Sequence, residues 1–192
     1  MATEHNTEIK PVGVSPLLYP LDEFYVRNGR ALPAVISIEG AAMPEPHRGL
    51  LVHENDMTPT LQNFHHDSLH VQALHAEDRG DFYFREVLLV LDGSGRFVEY
   101  GAIKINLGLL PADARREVLE ARLPLGRILN THHIAHASRP KAYLQLVPDD
   151  YISSVLGLAG SSVLFGRRNT LTNRDRLPLA EIVEILPPEP AA

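Results

Sequence analysis

Two long apolar runs on either side of one glycine-rich turn constrain this chain more than any other feature. Phe82–Leu91 ends at Asp92-Gly93-Ser94-Gly95, and a second run from Phe97 to Leu107 follows. Aromatic and β-branched runs joined by such a turn pair as a β-hairpin. Alternation at Leu69, Val71 and Ala73 marks another strand, and residues 134–138, 141–147, 162–171 and 178–186 read the same way. Helical signals fall between them. They lie at 21–26, at the segment capped by Asp56 with Pro59 in its first turn, at 111–122 with Val118 and Leu119 inward, and at the segment opened by Pro124. Hairpins with helices inserted between them predict an α+β domain on a largely antiparallel sheet. Residues 31–50, rich in Gly, Pro and Ala around a short strand at Ala34–Ile38, read as a connector or lid. Pro187 and Pro188 end the last strand, because proline cannot donate to a ladder.

Composition narrows the chemistry. The 192 residues contain no cysteine, which removes disulfides, thiolate metal sites and thiol catalysis. A net charge of −6 argues against wrapping nucleic acid. No apolar run approaches the ~20 residues of a spanning helix, and the polar start from Met1 to Lys10 lacks a signal-peptide core. The expectation is a cytoplasmic protein with no membrane or nucleic-acid partner.

The residues offer few reaction motifs. His132-His133-Ile134-Ala135-His136 has metal-like spacing but no motif glutamate and straddles a helix-to-strand junction, so no metal is expected. Ser153-Ser154 and Ser161-Ser162 lack the setting of a nucleophile elbow. The charged residues inside apolar strands carry more. Alternation sends Tyr83, Arg85 and Val87 to one face of their strand and Phe84, Glu86 and Leu88 to the other. One of Arg85 and Glu86 should therefore point inward, and a buried guanidinium needs a partner or an anionic ligand. Glu184, within Ile182-Val183-Glu184-Ile185-Leu186, is a carboxylate in an apolar strand. It fits either proton transfer or a structural ion pair with Arg85.

Five segments in order resemble the chorismate lyase family. They are Leu50-Leu51-Val52-His53-Glu54-Asn55-Asp56-Met57-Thr58, Arg85-Glu86-Val87-Leu88-Leu89, Pro124-Leu125-Gly126-Arg127-Ile128-Leu129, Phe165-Gly166-Arg167-Arg168 with Leu171, and the closing strand from Leu179 to Pro187. The resemblance covers residues 50–188. It leaves 1–49 as an N-terminal extension or flap and 189–192 as a tail. It implies an antiparallel α+β domain enclosing a ligand beneath flaps, and a lyase that removes pyruvate from chorismate to give hydroxybenzoate with no cofactor. By that resemblance Arg85 binds a substrate carboxylate with help from the Met57 amide, Leu125 offers a backbone contact, and Glu184 handles the proton. Glu181 is a competing match for that last role. The family's second anion-binding arginine falls near Gly101, leaving Lys104 as the compensating cation. That departure, with Glu99-Tyr100-Gly101, is similar to the broader lyase-like set that includes the UTRA ligand-sensing domains of transcriptional repressors.

The leading expectation is therefore a carbon–oxygen lyase acting on chorismate or a similar small anionic, aromatic or pre-aromatic substrate. The alternatives are a module of the same fold that binds an aromatic acid without turnover, and a same-fold enzyme recruited to another substrate in a specialised biosynthetic pathway.

Overall fold

The computed structural model describes residues 14–160 and 162–189. The polar start Met1 to Lys10, Ser161 and most of the 189–192 tail lie outside those residues. Seven strands form one sheet. They are β1 (Ala34–Ile38), β2 (Leu69–Arg79), β3 (Phe82–Leu91), β4 (Phe97–Asn106), β5 (Ala137–Val147), β6 (Leu164–Thr172) and β7 (Pro178–Leu186). Their spatial order is β1-β5-β6-β7-β4-β3-β2, with every neighbouring pair antiparallel. The expected hairpin is β3–β4, and it supplies two adjacent interior strands. The α+β antiparallel architecture is thus the observed one.

Six short helices are described: α1 (Leu21–Arg27), α2 (His47–Leu51), α3 (Met57–His65), α4 (Ala112–Leu119), α5 (Leu125–Thr131) and α6 (Asp150–Leu156). None is long and apolar enough to cross a membrane. Helices α1 and α6 cover one face of the sheet, where Leu21, Phe24, Tyr25 and Ile152 pack on Leu88, Tyr100, Val183 and Ile185. The other face is covered twice. Leu50, Leu51, Met57 and Leu61 from α2 and α3 pack on Val71, Val87, Leu89 and Leu186. Val118, Leu125, Ile128 and Leu129 from α4 and α5 pack on Tyr83, Ile103, Ile105 and Leu171.

Four expectations change. Residues 14–49 are not set apart from the domain. Leu18, Leu21 and Tyr25 are fully buried, Met43 and Leu50 nearly so, and β1 is the edge strand on β5. Both Arg85 and Glu86 are buried rather than one, because β3 is an interior strand with helices on both faces. Leu119 is exposed, leaving Ala114 and Val118 as the buried contacts of α4. The strands expected at 134–138 and 141–147 are one strand, β5, with an irregular register between Pro140 and Ala142.

The burial of α1 predicts that Leu21→Ala destabilises the fold by about 2–5 kcal/mol in urea unfolding, the usual range for truncating a closely packed leucine. A loss below about 1 kcal/mol would show that residues 14–49 do not share the core.

Candidate ligand-binding site

The seam between the two helical covers encloses a cavity over the middle of the sheet. Water centres have about 70 Å³ in which to move there. Its floor is set by strand register. Arg85 faces Ile103, Val87 faces Gly101, Gly101 faces Glu184, and Glu184 faces Arg167 across successive strands. All these residues therefore share one face. Asp56, Met57 and Thr58 at the start of α3, with Pro124, Leu125 and Gly126 at the start of α5, close it from above.

Arg85 is 2% exposed, and no carboxylate pairs with it among the described residues. Its two terminal nitrogens donate to the Leu123 carbonyl oxygen at 3.3 Å, and its Nε has no partner. Burial pushes its pKa down to about 10, so it remains a cation at neutral pH. Arg167 is the opposite case. It is fully buried, its Nε donates to the Glu184 carboxylate, and its terminal nitrogens donate to the carbonyls of His53 at 3.0 Å and Asn55 at 3.2 Å. Burial works against the Arg167 charge, but Glu184 outweighs it and the guanidinium pKa lies above its ordinary value.

His53 completes this tie. Its Nε2 lies 2.7 Å from the Leu50 carbonyl, while the Asn55 N–H and an Arg167 N–H both donate toward Nδ1. One donating and one accepting nitrogen define the neutral Nε2–H tautomer. Burial, then the Arg167 charge, lower the His53 pKa in the same sense. Glu99 also lines the cavity at 6% exposure, with one carboxyl oxygen unpartnered. Burial first, then the Glu184 charge, raise its pKa well above the usual carboxylate range, which favours the neutral acid.

The expected residues divide between the two faces of the sheet. Arg85, Met57, Leu125 and Glu184 all line the cavity. Lys104 does not, because its strand parity is opposite to that of Gly101. It pairs with Phe84 and Glu181 on the far face, where its ammonium sits 4.1 Å from the Phe82 ring centroid. Glu181 is on that face too, bonded to Arg168 and Thr170, so Glu184 is the cavity carboxylate of the two. Glu184 pairs with Arg167, not with Arg85. Arg167 and Glu99 received no role from the sequence, although the charge in Phe165-Gly166-Arg167 was as visible as the one in β3. The helix-to-strand histidines are used singly: His132 bonds to Glu117 and His136 to Asp56.

A second cation at position 101 has no room. A Cβ there would lie 2.3 Å from the Val183 carbonyl oxygen, a backbone atom of the paired strand. Among the described residues the cavity thus holds one uncompensated positive charge, beside an arginine–carboxylate pair and an acid favoured in its neutral form.

No family model matches the sequence, and no curated protein matches it either. Solved structures do match the fold. PhnF from Mycobacterium smegmatis superposes with a TM-score of 0.53 at 14% identity over 70% of this chain, which spans 64% of that protein. The effector domain of the same PhnF gives 0.53 at 15% identity, covering 68% of this chain and 87% of the domain. Gene product SA0254 from Staphylococcus aureus gives 0.52 at 10% identity, covering 71% and 90%. This is the chorismate lyase-like fold, shared with the PhnF effector domain.

The expectation of a pyruvate-releasing chorismate lyase is corrected by these matches, which lead to an effector domain rather than to a lyase. The site agrees with that correction. Chorismate is a dicarboxylate, and the cavity offers one free cation, while the carboxylate expected to move a proton is held by Arg167.

Two stability measurements separate the arginines. Arg85→Met removes an unpaired buried charge and should raise the unfolding free energy in ligand-free buffer by about 1–3 kcal/mol. Arg167→Met strands Glu184 and the carbonyls of the 51–55 loop, and should lower it by about 3–5 kcal/mol. Equal losses in both variants would contradict the different partners described for the two guanidinium groups.

Proposed function

We propose that this chain is a ligand-binding domain that holds a small monoanionic aromatic acid without converting it. The observation that carries the reading is the Arg85 guanidinium, buried at the cavity wall with one carbonyl oxygen as its hydrogen-bond acceptor and an unpartnered Nε. A buried cation left in that state is costly, and an anion entering the cavity removes the cost. The start of α3 adds a second favourable element. Asp56 stands at the N-cap position but makes no side-chain cap bond, so the first amides of α3, from Met57, are free of it. Helix N-termini favour negative charge. Val71, Val87, Leu89, Ile103, Leu125 and Leu171 supply an apolar wall suited to a ring.

In this reading Arg85 and the Met57 amide receive the carboxylate, the Leu125 backbone borders the ring, and Glu99 and Glu184 stand at the far side of the floor. Glu184 shapes the cavity through Arg167 rather than exchanging protons. One uncompensated cation sets the ligand charge at −1.

Isothermal titration with benzoate and 4-hydroxybenzoate tests the proposal. Saturable binding to the wild-type protein is expected, with the ligand recovered unchanged. Arg85→Ala should weaken it at least about tenfold, or 1.4 kcal/mol. Equal affinity in the two proteins would sink the assignment of Arg85.

A further inference from the structure

We propose that His136 is a positioning residue for this site: it holds the Asp56 carboxylate away from the start of α3 and so keeps those amides open to the anion. The inference rests on the ligand-binding reading above. Asp56 has the extended backbone of an N-cap residue, φ −65° and ψ 140°, yet its side chain makes no cap bond. Its Oδ2 instead lies 3.0 Å from Nε2 of His136, a residue 80 positions away in sequence. Asp56 and Met57–Thr58 line the same cavity as Arg85, so the position of this carboxylate decides what charge an incoming anion meets. Gly126 gives it room, since a Cβ there would come within 3.1 Å of Oδ2.

The hydrogen-bond pattern fixes the state of His136. Its Nδ1 is 2.9 Å from the Ile134 carbonyl oxygen, and its Nε2 faces a carboxylate. Both neighbours are acceptors. An imidazole donates from both nitrogens only as the cation. His53 nearby shows the other pattern, one donor and one acceptor, and is neutral. The Asp56 hydrogen bond, working against burial, correspondingly raises the His136 pKa.

The charged groups around His136 are Asp56 from the α3 start, Arg139 and Lys141 from β5, and Arg174 and Arg176 from the β6–β7 turn. Arg139 also meets Glu54. Asp56 sustains protonation, and burial opposes it. The pairing is fully present below about pH 6.5, the ordinary histidine value, and is lost as pH rises through the raised folded value. Once neutral, His136 keeps a single N–H, which serves Asp56 or Ile134 but not both, and the positive charge that held the carboxylate is gone. The more weakly held carboxylate can then turn to cap the N–H of Thr58, the second residue of α3, because Pro59 in third place has no N–H to offer. A carboxylate seated there repels a second anion.

The test is benzoate affinity by titration calorimetry between about pH 5.5 and 8.5, a range in which an ordinary carboxylic acid stays ionised. Wild-type affinity should fall about fivefold or more as pH rises, in line with a charge interaction at a helix end. His136→Ala should be weak and flat with pH. Asp56→Ala placed in that background should restore the affinity, since the repelling group is gone. Glu99→Gln should keep the wild-type pH ratio, which excludes the other titrating group in the cavity. Three results would overturn the role: a flat wild-type profile, a His136→Ala variant as tight as wild type, or a double variant as weak as the single one. The last would mark His136 as merely structural. If Arg85→Ala binds benzoate as well as wild type, the assignment of Arg85 fails instead, and if wild type binds no benzoate at any pH the ligand-binding reading itself fails.

Discussion

The organisation of the site depends on one buried guanidinium. Arg167 reaches from the middle of the sheet to the loop before α3, donating to Glu184 on one side and to the carbonyls of His53 and Asn55 on the other. A loop carbonyl enclosed in protein must find a donor. Here a single planar side chain serves two of them and is itself neutralised by a neighbouring carboxylate. That tie anchors the loop leading into α3, whose first residues line the same cavity as Arg85. The arginine that ties the loop and the arginine that has no carboxylate partner among the described residues lie on the same face of one sheet. They differ in their partners: Arg167 has a carboxylate and several carbonyls, Arg85 a single carbonyl.

The far side of the sheet shows how β3 tolerates two adjacent buried charges. Glu86 is fully buried against α1 and α6. It accepts from Tyr100 Oη at 2.5 Å and meets His75 Nδ1 at 2.7 Å. Burial first, then the Glu86 charge, push the Tyr100 hydroxyl pKa well up, so it stays a donor. Arg85 and Glu86 therefore solve the same desolvation problem in opposite ways. Glu86 is satisfied within the protein, and Arg85 keeps an unpartnered Nε among the described residues.

Much of the fold was legible because strand periodicity is local. The β3–β4 hairpin, β7 and the start of α3 follow from alternation, glycine and proline within a few residues of each element. What was not legible depends on pairing between distant segments. Lys104 looked like a substitute cation in the strand, but its parity places it behind the sheet, which only the register with Phe84 and Glu181 reveals. Asp56 read as a helix cap, yet its carboxylate is diverted to His136, a contact no local signal encodes. Glu184 was visible as a buried acid, but its partner came from β6 rather than β3. Likeness to a family of enzymes carried the fold correctly and the activity incorrectly, as expected when function resides in a few side chains of a shared scaffold.

The crowding at Gly101 has an evolutionary consequence. Two backbones pass too closely there for any side chain, so no single codon change at that position gives the floor a second positive charge. Altering the ligand's charge would instead require changes in the covering helices or at Glu99, where side chains already exist to be exchanged. On the proposed reading, the sheet thus sets a ceiling on the anion's valence, and variation in the covers is left to choose among molecules beneath it.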